Sequence, residues 1–217
     1  MHRDYIAKSP SVEAIYNVTS RGYIGKGREL VCSFKEDFQR FQTVTFGHVL
    51  VMGYKTWDAI PNKSKFILGN GTEERIRRIV VLTNRPGSTQ DWDIDPTARP
   101  YLRMLREPAP ADLIAEVQEL YKDMDADVFY RKTDFTTGQP KMVVPRRLII
   151  CGGARIYEKY ASLVDTIHET LTLTRAEGDV LLPASLKEDF TVEHETPEFR
   201  TSVSGAVYRF STLSRIA

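Results

Sequence analysis

Cysteine is scarce in this chain of 217 residues: Cys32 and Cys151 are the only two, and they form no C-x-x-C motif. A dithiol centre, a cysteine zinc site and a disulfide framework are therefore not expected, and a reducing, cytoplasmic setting is. The four histidines, His2, His48, His168 and His194, fall at no metal-ligand spacing, so no metal is expected either. Neither sign of charge is in excess, with a formal net charge of +1. Nothing in that balance points to nucleic acid or another polyanion. No apolar run reaches the length of a membrane span, and the opening Met1-His2-Arg3-Asp4-Tyr5 does not read as a signal peptide. A Rossmann fingerprint is missing as well. Gly25-Lys26-Gly27 begins like one, but Leu30 stands where the third glycine belongs.

What is present is a succession of short buried strands. Val12 to Val18 reads as the first. His48 to Met52, Arg78 to Thr83 and Arg147 to Cys151 are near-continuous apolar runs of the kind found in parallel sheets. Helical stretches follow them: one from Lys55-Thr56-Trp57, one over 111–124, one from Ala154-Arg155-Ile156-Tyr157. Residues 166–174 alternate as a strand, and 190–196 with 206–213 read as a closing antiparallel pair. Strands alternating with helices predict one α/β domain over 1–217. Its centre is a mainly parallel twisted sheet with an antiparallel C-terminal strand and about four flanking helices. Two segments, 62–74 and 125–145, read as insertions, the second as a surface hairpin.

The most informative single residue is Asp37. In Ser33 to Phe41 the residues Phe34, Asp37, Phe38 and Phe41 fall at i, i+3, i+4 and i+7, on one helical face. Lys35, Glu36, Gln39 and Arg40 take the wet side. Ser33 and Glu36 have the spacing of a capping box, which sets Asp37 inside the helix. A carboxylate among phenylalanines is costly unless paired, protonated or in contact with a ligand. Such a setting raises its pKa and suits proton delivery; the alternative is an ordinary ion pair with a nearby arginine.

Three strands end alike, in turn residues followed by a basic one: Gly53-Tyr54-Lys55-Thr56, Thr83-Asn84-Arg85 and Gly152-Gly153-Ala154-Arg155. In a parallel sheet these ends share the edge where ligands bind, and Lys55, Arg85 and Arg155 there point to a polyphosphate cofactor.

Five motifs in order resemble the dihydrofolate reductase family across most of the chain. They are Ile24 to Phe41, Met52 to Pro61, Ile79 to Thr83, Ile150 to Tyr157, and Thr170 with Glu177-Gly178-Asp179. The resemblance implies hydride transfer from NADPH to C6 of dihydrofolate and a proton to N5, by a monomer serving one-carbon metabolism. It implies catalytic roles for Asp37, Thr170 and Tyr157. Substrate would meet Ile15, Phe38, Phe41, Ile60, Arg77 and Cys151, with Arg77 (or Arg75) taking a glutamate carboxylate. Cofactor would meet Asn17, Ile24, Gly25, Leu30, Gly53, Lys55, Thr56, Leu82, Thr83, Asn84, Arg85, Gly152, Gly153, Ala154, Arg155 and Ile156. The Gly152-Gly153 peptide is expected to be cis.

Four departures accompany the resemblance. Val31-Cys32 replaces a Pro-Trp pair whose tryptophan packs on substrate and holds a water. Tyr16 and Asn17 replace small residues after Ile15. Tyr54 stands at a usually basic position that reads the 2′-phosphate. The two insertions have no counterpart. Rival readings are a riboflavin-pathway reductase on the same fold, which lacks the helix acid, and a folate- or nucleotide-binding homologue without turnover.

Overall fold

The structure is a computed structural model. It describes residues 9–84, 94–124, 130–133 and 142–216, with backbone alone at 130–133 and 142–145. Its centre is a 9-stranded sheet. Six strands run parallel: β10 (Thr166–Leu173), β1 (Val12–Thr19), β9 (Leu148–Ile150), β4 (Val49–Gly53), β5 (Arg78–Leu82) and β6 (Leu102–Leu105), in that order. Antiparallel strands extend the β10 edge, with β14 (Val207–Arg215) on β10, and β12 (Phe190–Glu195) and the two-residue β13 (Arg200–Thr201) on β14. The mainly parallel sheet with an antiparallel C-terminal strand is the expected architecture. A small second sheet joins β2 (Tyr23–Lys26) to β3 (Glu29–Leu30) and β11 (Val180–Leu181).

Burial on both faces explains the apolar strands. One face carries Val12, Ala14, Tyr16 and Val18 against α4 (Leu113–Tyr121) and α5 (Ala154–Tyr160). On the other, Leu50, Met52, Ile79 and Val81 pack with Trp57 of α2 (Tyr54–Asp58) and Ile67 of α3 (Lys63–Leu68). Each fully buried aliphatic side chain contributes about 1.5–3 kcal/mol.

Three expectations need correction. Segment 62–74 is not a polar insertion alone. Asn62 caps α3 by accepting from the Lys65 amide, and Ile67 enters the core. This makes five α-helices among the described residues. The Ser33–Glu36 capping box does not form. Helix α1 (Lys35–Thr45) has Phe34 at its N-cap with no side-chain cap bond. Glu36 instead accepts the Val203 amide at 3.0 Å, from the turn between β13 and β14. The phenylalanine stripe is also split. Phe34 packs on Tyr208, Phe41 on Phe66, and Phe38 stays 56% exposed. Residues 130–133 and 142–145 pair as antiparallel β7 (Tyr130–Thr133) and β8 (Met142–Pro145). The Thr136–Gln139 turn expected between them lies outside the described residues.

Candidate active site

Asp37 sits in the first turn of α1, at the carboxyl edge of the parallel strands. The register of β1 on β10 sets Asn17 opposite Thr170. Side chains alternate along a strand, so Asn17 and Thr170 face α1 while Tyr16 and Glu169 face the other way. Thr170 is buried, and its hydroxyl, like the Asn17 amide, acts on the half-buried Asp37 carboxyl to favour the charged form. Burial raises the pKa of that carboxyl; Thr170, Asn17 and the charge of Arg40 offset part of the rise. The Asn17 contribution is a loose one. Asn17 Oδ1 accepts from Thr172 at 2.8 Å, while the buried Nδ2 pulls on Asp37 without reaching any acceptor in full hydrogen-bond geometry. Cys32 completes this corner. Its thiol pKa is raised by burial and by the Asp37 charge.

Arg40 does not take the wet side as its helix position was read. It lies three residues after Asp37, hence on the same helical flank. Its Nη1 donates to the Glu169 carbonyl at 2.6 Å and to Thr170 Oγ1 at 3.3 Å, and its Nη2 donates to the Ser211 carbonyl at 2.7 Å. The i, i+3 spacing from Asp37 was the signal available in sequence.

Tyr157 comes in from α5. Its hydroxyl donates to the Ile15 carbonyl at 2.6 Å, and burial holds it well above the usual tyrosine range. Cys151 is close by, its amide donating to Val51, its thiol pushed up by burial. Tyr16 carries its bulk to the opposite face from Asn17, edge-on to Tyr157 with its hydroxyl on Glu169.

Just before β5, Arg77 is 2% exposed. Its Nε donates to Thr45 at 2.9 Å, and its guanidinium lies 4.3 Å from the Phe46 ring centre and 5.0 Å from that of Phe66. No carboxylate among the described residues pairs with it. Burial lowers its pKa to about 10. Ile60 and Phe41 pack on the same cluster.

The second half of the edge is made mostly of backbone. Gly53 donates its amide to Gly152 at 2.9 Å, and the Gly152-Gly153 bond is cis as expected. Gly152 has φ +125, and a Cβ there would meet Thr56 Oγ1 at 3.3 Å. A Cβ on Gly53 would meet Ile156 at 3.1 Å. Thus Gly53, Thr56, Gly152, Gly153 and Ile156 form one close-packed junction, with Ala154 beside it and Lys55 exposed. Leu82 and Thr83 are buried at the end of β5, and Asn84 is exposed. Arg85 lies outside the described residues. Arg155 is 65% exposed, and Glu107 engages both terminal nitrogens of its guanidinium.

The β2–β3 hairpin borders both halves. Ile24 is buried, Leu30 exposed, and Gly25 accepts the Asp179 amide while Asp179 accepts from Gly27 at 2.9 Å. A Cβ on Gly178 would lie 2.2 Å from the Gly25 carbonyl, so only glycine fits there. Arg28 pairs with Asp58, tying the hairpin tip to α2.

Among the described residues no helix is long and apolar enough to cross a membrane, and no group of three His, Cys, Asp or Glu is set to hold a metal ion. The family model described as dihydrofolate reductase matches residues 11–98 and 112–215. Its first range runs through 62–74 without a break. The dihydrofolate reductase of Mycobacterium tuberculosis is 27% identical over 207 residues, 94% of this chain and 98% of its own length. That of Mycobacterium leprae is 26% identical over the same span. A solved dihydrofolate reductase from Enterococcus faecalis, complexed with NADP(H) and RAB-propyl, superposes with a TM-score of 0.62 at 17% identity. It covers 95% of this chain and 97% of its own.

Proposed function

The chain belongs to the dihydrofolate reductase family, and from that premise we propose that it reduces 7,8-dihydrofolate to 5,6,7,8-tetrahydrofolate with NADPH. The observation that carries this reading is Asp37: a half-buried acid with a raised pKa, held at the carboxyl edge of the sheet by Thr170. An acid of raised pKa keeps its proton closer to neutral pH, which general-acid chemistry requires.

Two features of the cleft fit a nicotinamide dinucleotide. The glycine junction at Gly53, Gly152 and Gly153 presents bare backbone beside Thr56 and Lys55. Asn17 Nδ2 is a buried donor that lacks an acceptor and could meet a carboxamide oxygen. When bound, the reduced nicotinamide supplies the hydride for C6. The protein's own part is binding and protonation. Asp37 holds the pterin's amino group and ring nitrogen and feeds a proton through water to N5. Tyr157, fixed on the Ile15 carbonyl, keeps that strand edge in place beside the reacting ring. Phe41, Ile60 and the exposed Phe38 form an apolar wall, and Arg77 receives a carboxylate at the far end. Arg155 drops out of the phosphate set because Glu107 occupies it. One domain spanning 1–217 is part of the reading, supported by β1 and β14 sharing a sheet through β10.

A second reading, a folate-binding homologue without turnover, draws on Cys32 beside Asp37 in place of the family's tryptophan. One assay separates them: loss of NADPH absorbance with dihydrofolate, using the wild type and Asp37→Asn. Reduction that falls about 10²–10⁴-fold in the variant supports the reductase. A folded wild type that binds both ligands and transfers no hydride between them supports the second reading.

A further inference from the structure

Arg40 is the charged side chain that the preceding scheme leaves without a task. It leaves α1, passes behind Asp37 and ends against two backbone carbonyls, those of Glu169 on β10 and Ser211 on β14. Phe210 lies under the guanidinium at 4.7 Å. Among the described residues no carboxylate forms an ion pair with it. A guanidinium has only donors. At its 3.3 Å contact with Thr170, the threonine oxygen must therefore be the acceptor. The threonine's own proton is left free to point away from Arg40, towards the Asp37 carboxyl whose charged form it favours.

We propose that Arg40 is a positioning residue for the acid: it fixes the Thr170 hydroxyl as a donor to Asp37 and places a permanent positive charge behind that carboxyl. The proposal rests on reading Asp37 as the proton source. Other groups facing this corner do not replace Arg40. Asn17 and Thr170 are neutral, and the Cys32 thiol is held protonated by burial and by Asp37. Glu36 is turned to the Val203 amide. The Glu169 carboxylate lies on the opposite face of β10, held by Tyr16 and Lys187. On β14, Arg209 is paired with Glu195. Among the described residues Arg40 is therefore the one fixed charge that, with the larger influences of Thr170 and Asn17, opposes the lift that burial gives Asp37.

The test is a carboxyl ¹³C NMR titration of aspartate-labelled protein, with the Asp37 signal assigned by its loss in Asp37→Asn. In Arg40→Met the Asp37 pKa is expected to rise by about one pH unit or more, since a close cation shifts a carboxylate by that order. Arg40→Lys, which keeps the charge, should restore most of the difference. If Arg40→Met does not fold, Arg40→Gln carries the same test, because its amide can still donate to a carbonyl. An Asp37 pKa equal in wild type and the uncharged variant overturns the proposal. The titration needs no turnover, so it is separable from the reductase reading. A wild type that shows the Arg40 effect yet reduces no dihydrofolate supports the Arg40 role and sinks the reductase. Where turnover is present, the pH limb of the rate should move with the NMR value; a limb that stays fixed while the carboxyl shifts counts against Asp37 as the proton source and so against the proposal.

Discussion

Glu13 and Asp37 are two carboxylates served by the same face of β1 and β10, at opposite ends. Glu13, at the amino end, is 6% exposed and accepts from His168 at 2.8 Å and from Arg147 at 2.9 Å. Burial would raise its pKa, but His168 and Arg147 outweigh it and the value is lowered. Asp37, at the carboxyl end, has burial as its largest influence too, yet its partners are a hydroxyl, a loose amide and a cation already bound to carbonyls, and the value is raised. Similar desolvation gives opposite results because only one site supplies a cation in direct contact. The paired end favours its carboxylate, and the underpaired end gives up its proton at higher pH than a free aspartate would.

Mutation can break this contrast. The largest stability effect is expected at Glu13→Gln. It should cost about 2–3 kcal/mol in urea unfolding at pH 7, below the figure for a fully buried pair because Arg147 is partly exposed. A group with a lowered folded pKa stabilises above its unfolded pKa and loses that contribution as pH falls through the folded value. Glu13→Gln should therefore flatten the acid limb of the stability curve without changing the rate of dihydrofolate reduction. A fall in kcat comparable to that of Asp37→Asn would end the division of labour.

Arg77 offers the converse case, a buried cation with no acid paired to it among the described residues. Loss of one charge-assisted bond, about 1.5–3 kcal/mol, predicts a KM for dihydrofolate raised roughly tenfold to a hundredfold in Arg77→Met, with kcat little changed. An unchanged KM would remove Arg77 from the binding set.

Asp37→Asn sharpens the comparison through its sign. The raised pKa of Asp37 means its contribution to stability is full below the unfolded pKa and is lost as pH rises through the folded one. The variant should thus gain thermal stability relative to wild type as pH rises from the unfolded-state value of about 3.9 through the folded one, the reverse of Glu13→Gln. A melting temperature difference that is flat over that range refutes it. The smallest effect is expected at Arg155→Ala. Arg155 is 65% exposed, and its pair with Glu107 should be worth about 0–1 kcal/mol. NADPH affinity should barely move; a large loss would return Arg155 to the phosphate site.

Much of this was legible in the chain itself. The buried strands announced themselves as apolar runs because a parallel sheet is covered on both faces. Asp37 stood out against its phenylalanine neighbours, and the resemblance to the family pattern, with its Glu177-Gly178-Asp179 loop, pointed to Thr170. Strands β2, β3, β6 and β11 left little trace, being short or on edges where burial imposes no pattern. The helix start was misplaced because Glu36 had two possible amides to accept, that of Ser33 and that of Val203, and only the fold brings the second within reach.

Local rules settled what local chemistry decides. Glycine at 152, 153 and 178 marks close backbone approach, apolar runs mark buried strands, and helical spacing sets Asp37 on the face of Phe34 and Phe41. Tertiary structure decided which charges meet. Arg155 reached Glu107, Arg40 reached the carbonyls of two strands more than 120 residues away, and Glu13 rather than Asp37 received the direct bond of a guanidinium. The reason is the range of the forces involved. Backbone preference and apolar patterning act over a few residues along the chain, whereas desolvation and Coulomb attraction depend on distances that exist only once the strands have aligned.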